Sequence, residues 1–231
     1  MTDKEYFDKL STIAIYADIL LGILRYTRVK ERNDENKYAL ELTKNLKFEK
    51  ITDPDLFRAC IDLIEDSQLA IDEFHSNGLI TNDENFGERY LRLYGILNAI
   101  YLQLGAILDL IRIFNLPNQK DIKTRLNSLK IIEIRNKIAS HTTNYKIPNR
   151  KNEKDFFKVA QSTIDQWGNS LLIVSKDDSE VIDLKPNIES FTTEIKKVLE
   201  EIIQKELYSR LFKKEHLEWM QERHQYIKNY R

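Results

Sequence analysis

The chain has 231 residues, of which 42% are hydrophobic and 32% charged, and this composition excludes an intrinsically disordered protein. The net charge of −1 excludes an overall basic protein, so a site for a polyanion has to be a local patch. Cys60 is the only cysteine, which excludes a disulfide framework and a thiolate zinc site and fits a reducing cytosol. With six glycines and four prolines, the chain favours long helices over an all-β fold.

The N-terminal part of the sequence predicts helices and no membrane segment. The first ten residues are charged and lack the apolar core of a signal peptide, and the apolar run at 13–24 is too short to span a bilayer. We therefore expect a cytoplasmic protein. Helices are predicted at 4–30, 36–46 and 52–74, and the turn-forming residues at 75–87 predict a connection.

A long helix follows, with the sequence ERYLRLYGILNAIYLQLGAILDLIRIFN. It is nearly apolar on all sides, which predicts a central helix that other elements cover on most sides. Asn98, Gly105, Asp109 and Arg112 fall at spacings of seven, four and three, so they lie along one narrow seam of this helix. Pro117 ends it, and a further helical stretch is predicted from about residue 121.

The rest of the chain combines a β-prone region with a return to helix. The sequence FFKVAQSTIDQW is compatible with a strand or a helix, whereas NSLLIVSKDDSEVIDLKP predicts a small β-hairpin near 168–185. From Ile188 the apolar residues recur at helical spacing, and the final segment with His216 and His224 reads as a solvated terminal helix. The predicted fold class is mainly α, a helical bundle with one small hairpin.

The stretch IIEIRNKIASHTTNY places an arginine inside the apolar side of a helix. At 100° per residue, Ile131, Ile134 and Ile138 gather on one side, and Arg135 falls between Ile131 and Ile138. An uncompensated charge in an apolar sector is costly, so this guanidinium must either pair with an acid or face a polar cavity.

Both alternatives remain open from the residues alone. In the first, Arg135 forms a structural ion pair, with Asp109 or Asp62 as the partner. In the second, Arg135 receives an anion, because a guanidinium is always charged and offers a phosphate two parallel donors. His141, at the end of the same helix, reads by itself as a cap or a surface residue.

The sequence RNKIASH resembles the motif of the HEPN superfamily (higher eukaryotes and prokaryotes nucleotide-binding). That motif is an arginine, usually followed by a polar residue, and then a histidine after four to six intervening residues; here there are five. The long apolar helix also looks like the helix that precedes the motif in bacterial members. The resemblance covers about residues 55–145 and implies an all-α bundle.

The resemblance implies a metal-independent endoribonuclease. Arg135 would hold the scissile phosphate, His141 would help to move the proton of the ribose 2′-hydroxyl, and Asn136 would orient the site. These residue types suit the chemistry, because a neutral imidazole accepts a proton near pH 7 and a fixed cation offsets charge on the phosphoryl oxygens. We take Asp109, Asn98, Lys137 and Ser140 as candidate substrate-binding residues, and we expect no metal ion and no cofactor.

The resemblance further implies a homodimer, since family members bring two motifs to one cleft. We expect a single domain at 1–231, with a HEPN-like core at about 52–145, a hairpin insertion at about 155–187 and a C-terminal helix at 188–231. RNA would be the substrate, in stress response or phage defence, with an antitoxin or regulatory protein as a possible partner. Two alternatives stay open: a non-catalytic module that binds a nucleotide, RNA or a partner protein, and a structural helical protein with a chance motif.

Overall fold

The chain is mainly α-helical, as predicted from the sequence. The computed structural model describes residues 7–30, 33–79, 85–140, 143, 145–146, 154–166, 168–210 and 212–230. These residues form nine α-helices: α1 (Thr12–Tyr26), α2 (Glu35–Leu46), α3 (Asp53–Asn77), α4 (Phe86–Ile113), α5 (Gln119–Asn127), α6 (Lys130–Arg135), α7 (Gln161–Gln166), α8 (Leu184–Ser209) and α9 (Lys214–Tyr230). A short π-helix, Asn136–Ser140, follows α6 directly.

Two small antiparallel sheets complete the described structure. One pairs β1 (Tyr145–Lys146) with β2 (Lys154–Asp155). The other has the order β3-β4-β5, formed by β3 (Lys158–Val159), β4 (Ser170–Val174) and β5 (Ser179–Asp183). The hairpin of β4 and β5 confirms the prediction near 168–185, and the segment that was compatible with strand or helix contains β3 and then α7.

The described residues cluster into two compact units. Unit 1 draws on Met1–Gln68, Gln103–Asp121 and Ile195–Arg231, and unit 2 on Leu69–Leu102 and Ile122–Glu194. The helices α3, α4, α5 and α8 each supply residues to both units. The single domain that we expect from the sequence stays a prediction.

The first helix is shorter than its predicted span of 4–30. Helix α1 begins at Thr12, because the Ser11 side chain accepts a hydrogen bond from Ala14 N at 3.3 Å and so caps the helix. It ends at Tyr26, after which the Thr27 hydroxyl donates to the carbonyl of Ile23 at 2.7 Å. The apolar pattern alone does not mark either of these ends.

The C-terminal helix is predicted to run without interruption from Ile188, but the structure has two helices, of which α8 ends at Ser209 and α9 begins at Lys214. The guanidinium of Arg210 donates to the carbonyl oxygens of Asn45 and Leu46, at 2.6 Å each, and so satisfies the end of α2. The final segment is not a solvated helix either, because the side chain of His224 is only 1% exposed and lies 2.8 Å from Glu200 Oε2.

Helix α4 is covered on one side and open on the other, so the prediction of cover on most sides is only partly right. Its open side carries Leu91, Tyr94, Tyr101 and Leu102, all of them exposed. Among the described residues, α4 is the one helix long and apolar enough to cross a membrane, but 61% of its most apolar window is buried in the protein. This burial is what the core helix of a soluble protein shows.

Candidate functional site

The arginine of the RNKIASH motif is the last residue of α6 in unit 2. Ile131, Ile132 and Ile134 are buried and fix α6 in place, which leaves Arg135 half-buried at its C-terminal end. The chain then changes from α-helix to π-helix over Asn136–Ser140, where Ile138 is buried. Such π-helical turns are rare and occur frequently at functional sites.

Arg135 contacts an aromatic ring and an amide. Its Cζ lies 3.7 Å from the centroid of the Tyr101 ring. Its Nη1 donates to Oδ1 of Asn136 at 3.1 Å. A cation over a tyrosine ring is attracted to the ring by about 0.5–1 kcal/mol at exposed sites and by more where water is excluded. The ring and the amide therefore hold the plane of the guanidinium.

The charge of Arg135 has no acidic partner among the described residues of its own unit. Among the described residues of unit 2, no carboxylate oxygen lies within 4 Å of its guanidinium. The two acids that the sequence offers as ion-pair partners, Asp62 and Asp109, both belong to unit 1. Asp109 instead lies 3.8 Å from Nε of Arg112. Because the guanidinium has five N–H donors, most of its donors remain available to an anion.

Lys137, a predicted substrate-binding residue, takes part in a local charge cluster. Its Nζ lies 2.5 Å from Glu133 Oε1 and 4.9 Å from the centroid of the Phe157 ring. Lys130 Nζ bridges Glu133 at 3.2 Å and Glu180 of β5 at 2.9 Å. Burial alone would raise the pKa of Glu133, but the ammonium groups of Lys137 and then Lys130 outweigh burial and lower this pKa. The cluster ties the motif helix to the hairpin, so Lys137 already has a structural contact.

The seam predicted along α4 is divided between the two units. Asn98 is exposed in unit 2, one helical turn before Tyr101. In unit 1, Arg112 Nη1 donates to Oδ1 of the buried Asp53 at 3.1 Å, and Asp109 lies beside Arg112. Structural ion pairs therefore account for Asp109 and Arg112.

Two of the predicted site residues lie at the end of the motif. Ser140 is exposed at the end of the π-helix. His141 lies outside the described residues. For positions 135 and 141, α-helical geometry gives a separation of about 120° in rotation. The residues between these positions, Asn136–Ser140, form a π-helix, which holds more residues in each turn than an α-helix.

Tyr101 belongs to the site and was not among the residues predicted from the sequence. Its ring is 46% exposed although Arg135 lies over it. A signal was present, because Tyr101 stands three residues after Asn98 and four before Gly105, and so shares a face with both. Which helix meets this face depends on a contact between residues 34 positions apart, and periodicity does not encode such a contact.

No group of three or more His, Cys, Asp or Glu side chains that could hold a metal ion occurs in the part of the chain that the structure describes. Comparison of the chain with family models, curated proteins and solved structures gave no match. The candidate site therefore consists of Arg135 and its neighbours Asn136 and Tyr101.

Proposed function

We propose that the chain is a metal-independent endoribonuclease of HEPN type, in which Arg135 binds the scissile phosphate and His141 performs acid–base catalysis. The observation that carries this proposal is the half-buried guanidinium of Arg135. The guanidinium stacks on the ring of Tyr101 and is oriented by its hydrogen bond to Asn136. It has no carboxylate within 4 Å among the described residues of its unit. A cation held in this way is ready for a phosphate, because no ion pair has to be broken first.

The proposed reaction needs no group beyond these side chains and the RNA. The ribose 2′-oxygen attacks the adjacent phosphorus, the bond from phosphorus to the 5′-oxygen of the next nucleotide breaks, and a 2′,3′-cyclic phosphate forms. His141 moves the proton from the 2′-hydroxyl towards the leaving oxygen, and Arg135 offsets the charge that grows on the phosphoryl oxygens. Asn136 keeps the guanidinium in position.

Two exposed aromatic rings on α4, one of them in contact with Arg135, favour single-stranded RNA as the substrate. Tyr94 and Tyr101 are both exposed on α4, two turns apart, and bases of any sequence can stack on such rings. The same rings favour a second candidate function, in which this surface binds RNA without cleaving it. In the first function, RNA is cleaved and cleavage requires His141. In the second, RNA is bound without cleavage, and replacement of His141 has no effect on activity.

Cleavage of mixed single-stranded RNA in the presence of a chelator tests the proposal. We expect Arg135→Ala to lower the rate by roughly a hundredfold or more, as the loss of a charge-stabilising donor does, and His141→Ala to act similarly. Arg58→Ala, at an exposed arginine in unit 1, is the matched control and should cleave like the wild type. Equal cleavage by all variants would indicate a contaminating nuclease, and RNA binding without cleavage would favour the second function.

We also propose a homodimer formed through the exposed side of α4. Leu91, Tyr94, Tyr101 and Leu102 fall within a sector of roughly 120° on this helix. Leu91 is 72% exposed, and a contiguous apolar stripe of this kind is characteristic of an interaction surface. Leu91 and Leu102 would form the contact between the copies, and Tyr94 and Tyr101, which lie roughly 60–100° around the helix from them, would stay open to RNA beside it. Two copies of this face would then bring two Arg135 sites close to one interface.

Light scattering coupled to size-exclusion chromatography tests the dimer. The double variant Leu91→Glu and Leu102→Glu should elute as a monomer at a concentration where the wild type is a dimer, because it places four like charges in the interface. Leu40→Glu changes a leucine of α2 that is 57% exposed and should leave the dimer intact. A wild-type monomer, or a double variant that remains dimeric, would contradict this interface.

The proposed setting is the cytoplasm, in stress response or phage defence, with a neutralising antitoxin as a possible partner. The free and buried thiol of Cys60 fits a reducing compartment, and burial raises its pKa to about 12, so the thiol stays protonated. Induced expression in a bacterial host tests the role. The wild type should arrest growth and Arg135→Ala should not, and equal growth of both strains would contradict a toxic nuclease.

A further inference from the structure

A large cationic cavity lies in unit 1, where three helices end and one begins. Its volume is about 1040 Å³, which is at the upper end of the range of small-molecule sites. Most of the described residues that line it come from the end of α1 (residues 25–30), the end of α2 (Asn45 and Lys47) and the chain between α8 and α9 (Ser209, Arg210, Phe212 and Lys213). None of these residues belongs to the Arg135 site.

Hydrogen bonds between its walls hold this cavity open in a fixed shape. Asn45 Nδ2 donates to the carbonyl of Arg28 at 2.6 Å, and the backbone N–H of Lys30 donates to Glu41 Oε2 at 2.8 Å. Arg210 closes the opposite wall through its bonds to the carbonyls of Asn45 and Leu46. A site whose walls are already ordered loses little conformational entropy when it binds a ligand.

The cavity carries more positive charge than its fold requires. Among the described residues that line it, six are lysines or arginines and one, Glu41, is a carboxylate. Arg210 is ion-paired with Glu206, so its role is structural. Arg25 lies within α1, and the remaining four are Arg28, Lys30, Lys47 and Lys213. Among the described residues, none of these four side chains has a carboxylate within 4 Å or a hydrogen bond.

Helix dipoles explain part of this charge but not all of it. Cations are often found near helix C-termini, where each terminus carries about −0.5 elementary charge. Three termini therefore account for about −1.5 charges. Together with Glu41, this leaves a surplus of roughly one to two positive charges among the four side chains. Helix α9, which begins at Lys214, adds the positive end of a dipole beside the same cavity.

An aromatic wall accompanies the charges. The rings of Tyr26 and His216, which both line the cavity, are stacked with centroids 3.9 Å apart and an angle of 21°. Phe212 and Val29 add apolar lining. Nδ1 of His216 is buried and has no hydrogen-bond partner among the described residues, so the wall offers a polar atom that nothing yet satisfies.

We propose that this cavity binds a nucleotide with a polyphosphate chain. The four side chains Arg28, Lys30, Lys47 and Lys213 would contact the phosphates, since they line one cavity, have no acidic partner among the described residues and match a chain of linked anions. The aromatic wall would contact the planar base, and Nδ1 of His216 would gain the partner that it lacks. The site is separate from the proposed nuclease site and does not depend on it.

Isothermal titration of the full chain with ATP as the probe tests this site. We expect ATP to bind more tightly than inorganic tripolyphosphate, and tripolyphosphate more tightly than adenosine. The double variant Arg28→Gln and Lys213→Gln should weaken ATP binding by roughly tenfold or more, because it removes two charge-assisted contacts. Lys30→Gln with Lys47→Gln is a second pair that should act alike, should the first pair impair folding.

The controls separate this site from general charge and from the nuclease site. Arg58→Gln with Lys120→Gln removes two exposed cations of unit 1 outside the cavity and should leave ATP affinity unchanged. Arg135→Ala should also bind ATP like the wild type. No ATP binding at millimolar concentration, equal binding by all variants, or equal affinity for ATP and tripolyphosphate would overturn the nucleotide site. Binding of single-stranded RNA but not of ATP would overturn it as well.

Discussion

Replacement of Glu200 by glutamine should destabilise unit 1 at neutral pH. The Glu200 carboxylate accepts hydrogen bonds from Tyr16 of α1 at 2.9 Å, from Gln204 of α8 at 2.6 Å and from His224 of α9 at 2.8 Å. One carboxylate thus connects three helices. Burial, followed by the nearby Glu200 carboxylate, raises the pKa of Tyr16, so the tyrosine keeps its proton and remains a donor.

The size of the effect follows from the number of bonds that glutamine cannot accept. The amide oxygen can still accept on one side of the group, but the amide nitrogen replaces the other oxygen and faces at least one of the three donors, from which it cannot accept. A hydrogen bond to a charged group contributes about 1.5–3 kcal/mol, and the partner His224 is buried. We therefore expect Glu200→Gln to lower the free energy of unfolding by about 2–3 kcal/mol.

The same network predicts how this difference changes with pH. Burial by itself would raise the pKa of Glu200, but the hydrogen bonds from Gln204, His224 and Tyr16 outweigh burial and lower it from 4.5. A carboxyl whose pKa is lower in the folded state stabilises the fold at pH above its unfolded pKa. This stabilisation is lost as the pH falls through the folded pKa. The gap between wild type and Glu200→Gln should therefore narrow below pH 4.5.

Urea denaturation followed by tryptophan fluorescence, at about pH 7 and about pH 3.5, measures both effects. Glu201→Gln is the matched control, since Glu201 is the next residue on the same helix and is exposed, and it should change stability by less than about 0.5 kcal/mol. Equal stability of Glu200→Gln and Glu201→Gln at neutral pH would contradict a stabilising role for the hydrogen bonds of the Glu200 carboxylate. A gap that stays constant down to about pH 3.5 would refute the pKa argument.

Two further predictions concern a buried ion pair and a glycine. Arg112→Met should lower the free energy of unfolding by about 3 kcal/mol, because the buried Asp53 loses the guanidinium that lies 3.1 Å away, and an unchanged thermal melt would contradict this. Gly78→Ala should cost about 1–3 kcal/mol, because Gly78 has a φ of +63° and an added Cβ would overlap Oδ1 of Asn169. At Gly95 nothing lies within 4 Å of an added Cβ, so Gly95→Ala should be neutral or stabilise the protein by up to about 1 kcal/mol. Equal effects of the two alanine substitutions on denaturation would contradict the overlap with Asn169.

Local sequence signals were sufficient to predict most of the helices and the hairpin. The β-branched runs on either side of KDDS predict the hairpin, and the structure pairs the two runs as antiparallel strands, with Leu171 opposite Ile182. The break after the long helix was predicted from Pro117, and the backbone there turns through Asn115 and Asn118, both with positive φ. These features depend only on neighbours in the sequence.

Features that depend on distant residues could not be predicted. The division between α8 and α9 contains neither proline nor glycine, and it arises where Arg210 satisfies the end of α2, 164 positions away. The burial of His224 depends on Glu200, and the orientation of Arg135 depends on Tyr101. The sequence identified Arg135 as unusual, but its contact with the ring of Tyr101 could be recognised only from the structure.

The salt dependence of RNA binding tests most directly whether the guanidinium of Arg135 contacts a phosphate. The ligand is a 2′-O-methyl RNA, which cannot be cleaved by attack of its 2′-oxygen, and affinity is measured for the wild type, Arg135→Gln and Arg58→Gln. For a single strand, each lost phosphate contact lowers the slope of log affinity against log salt by about 0.7. We expect this decrease for Arg135→Gln and no change for Arg58→Gln. A slope for Arg135→Gln equal to that of the wild type would contradict a contact between the Arg135 guanidinium and an RNA phosphate.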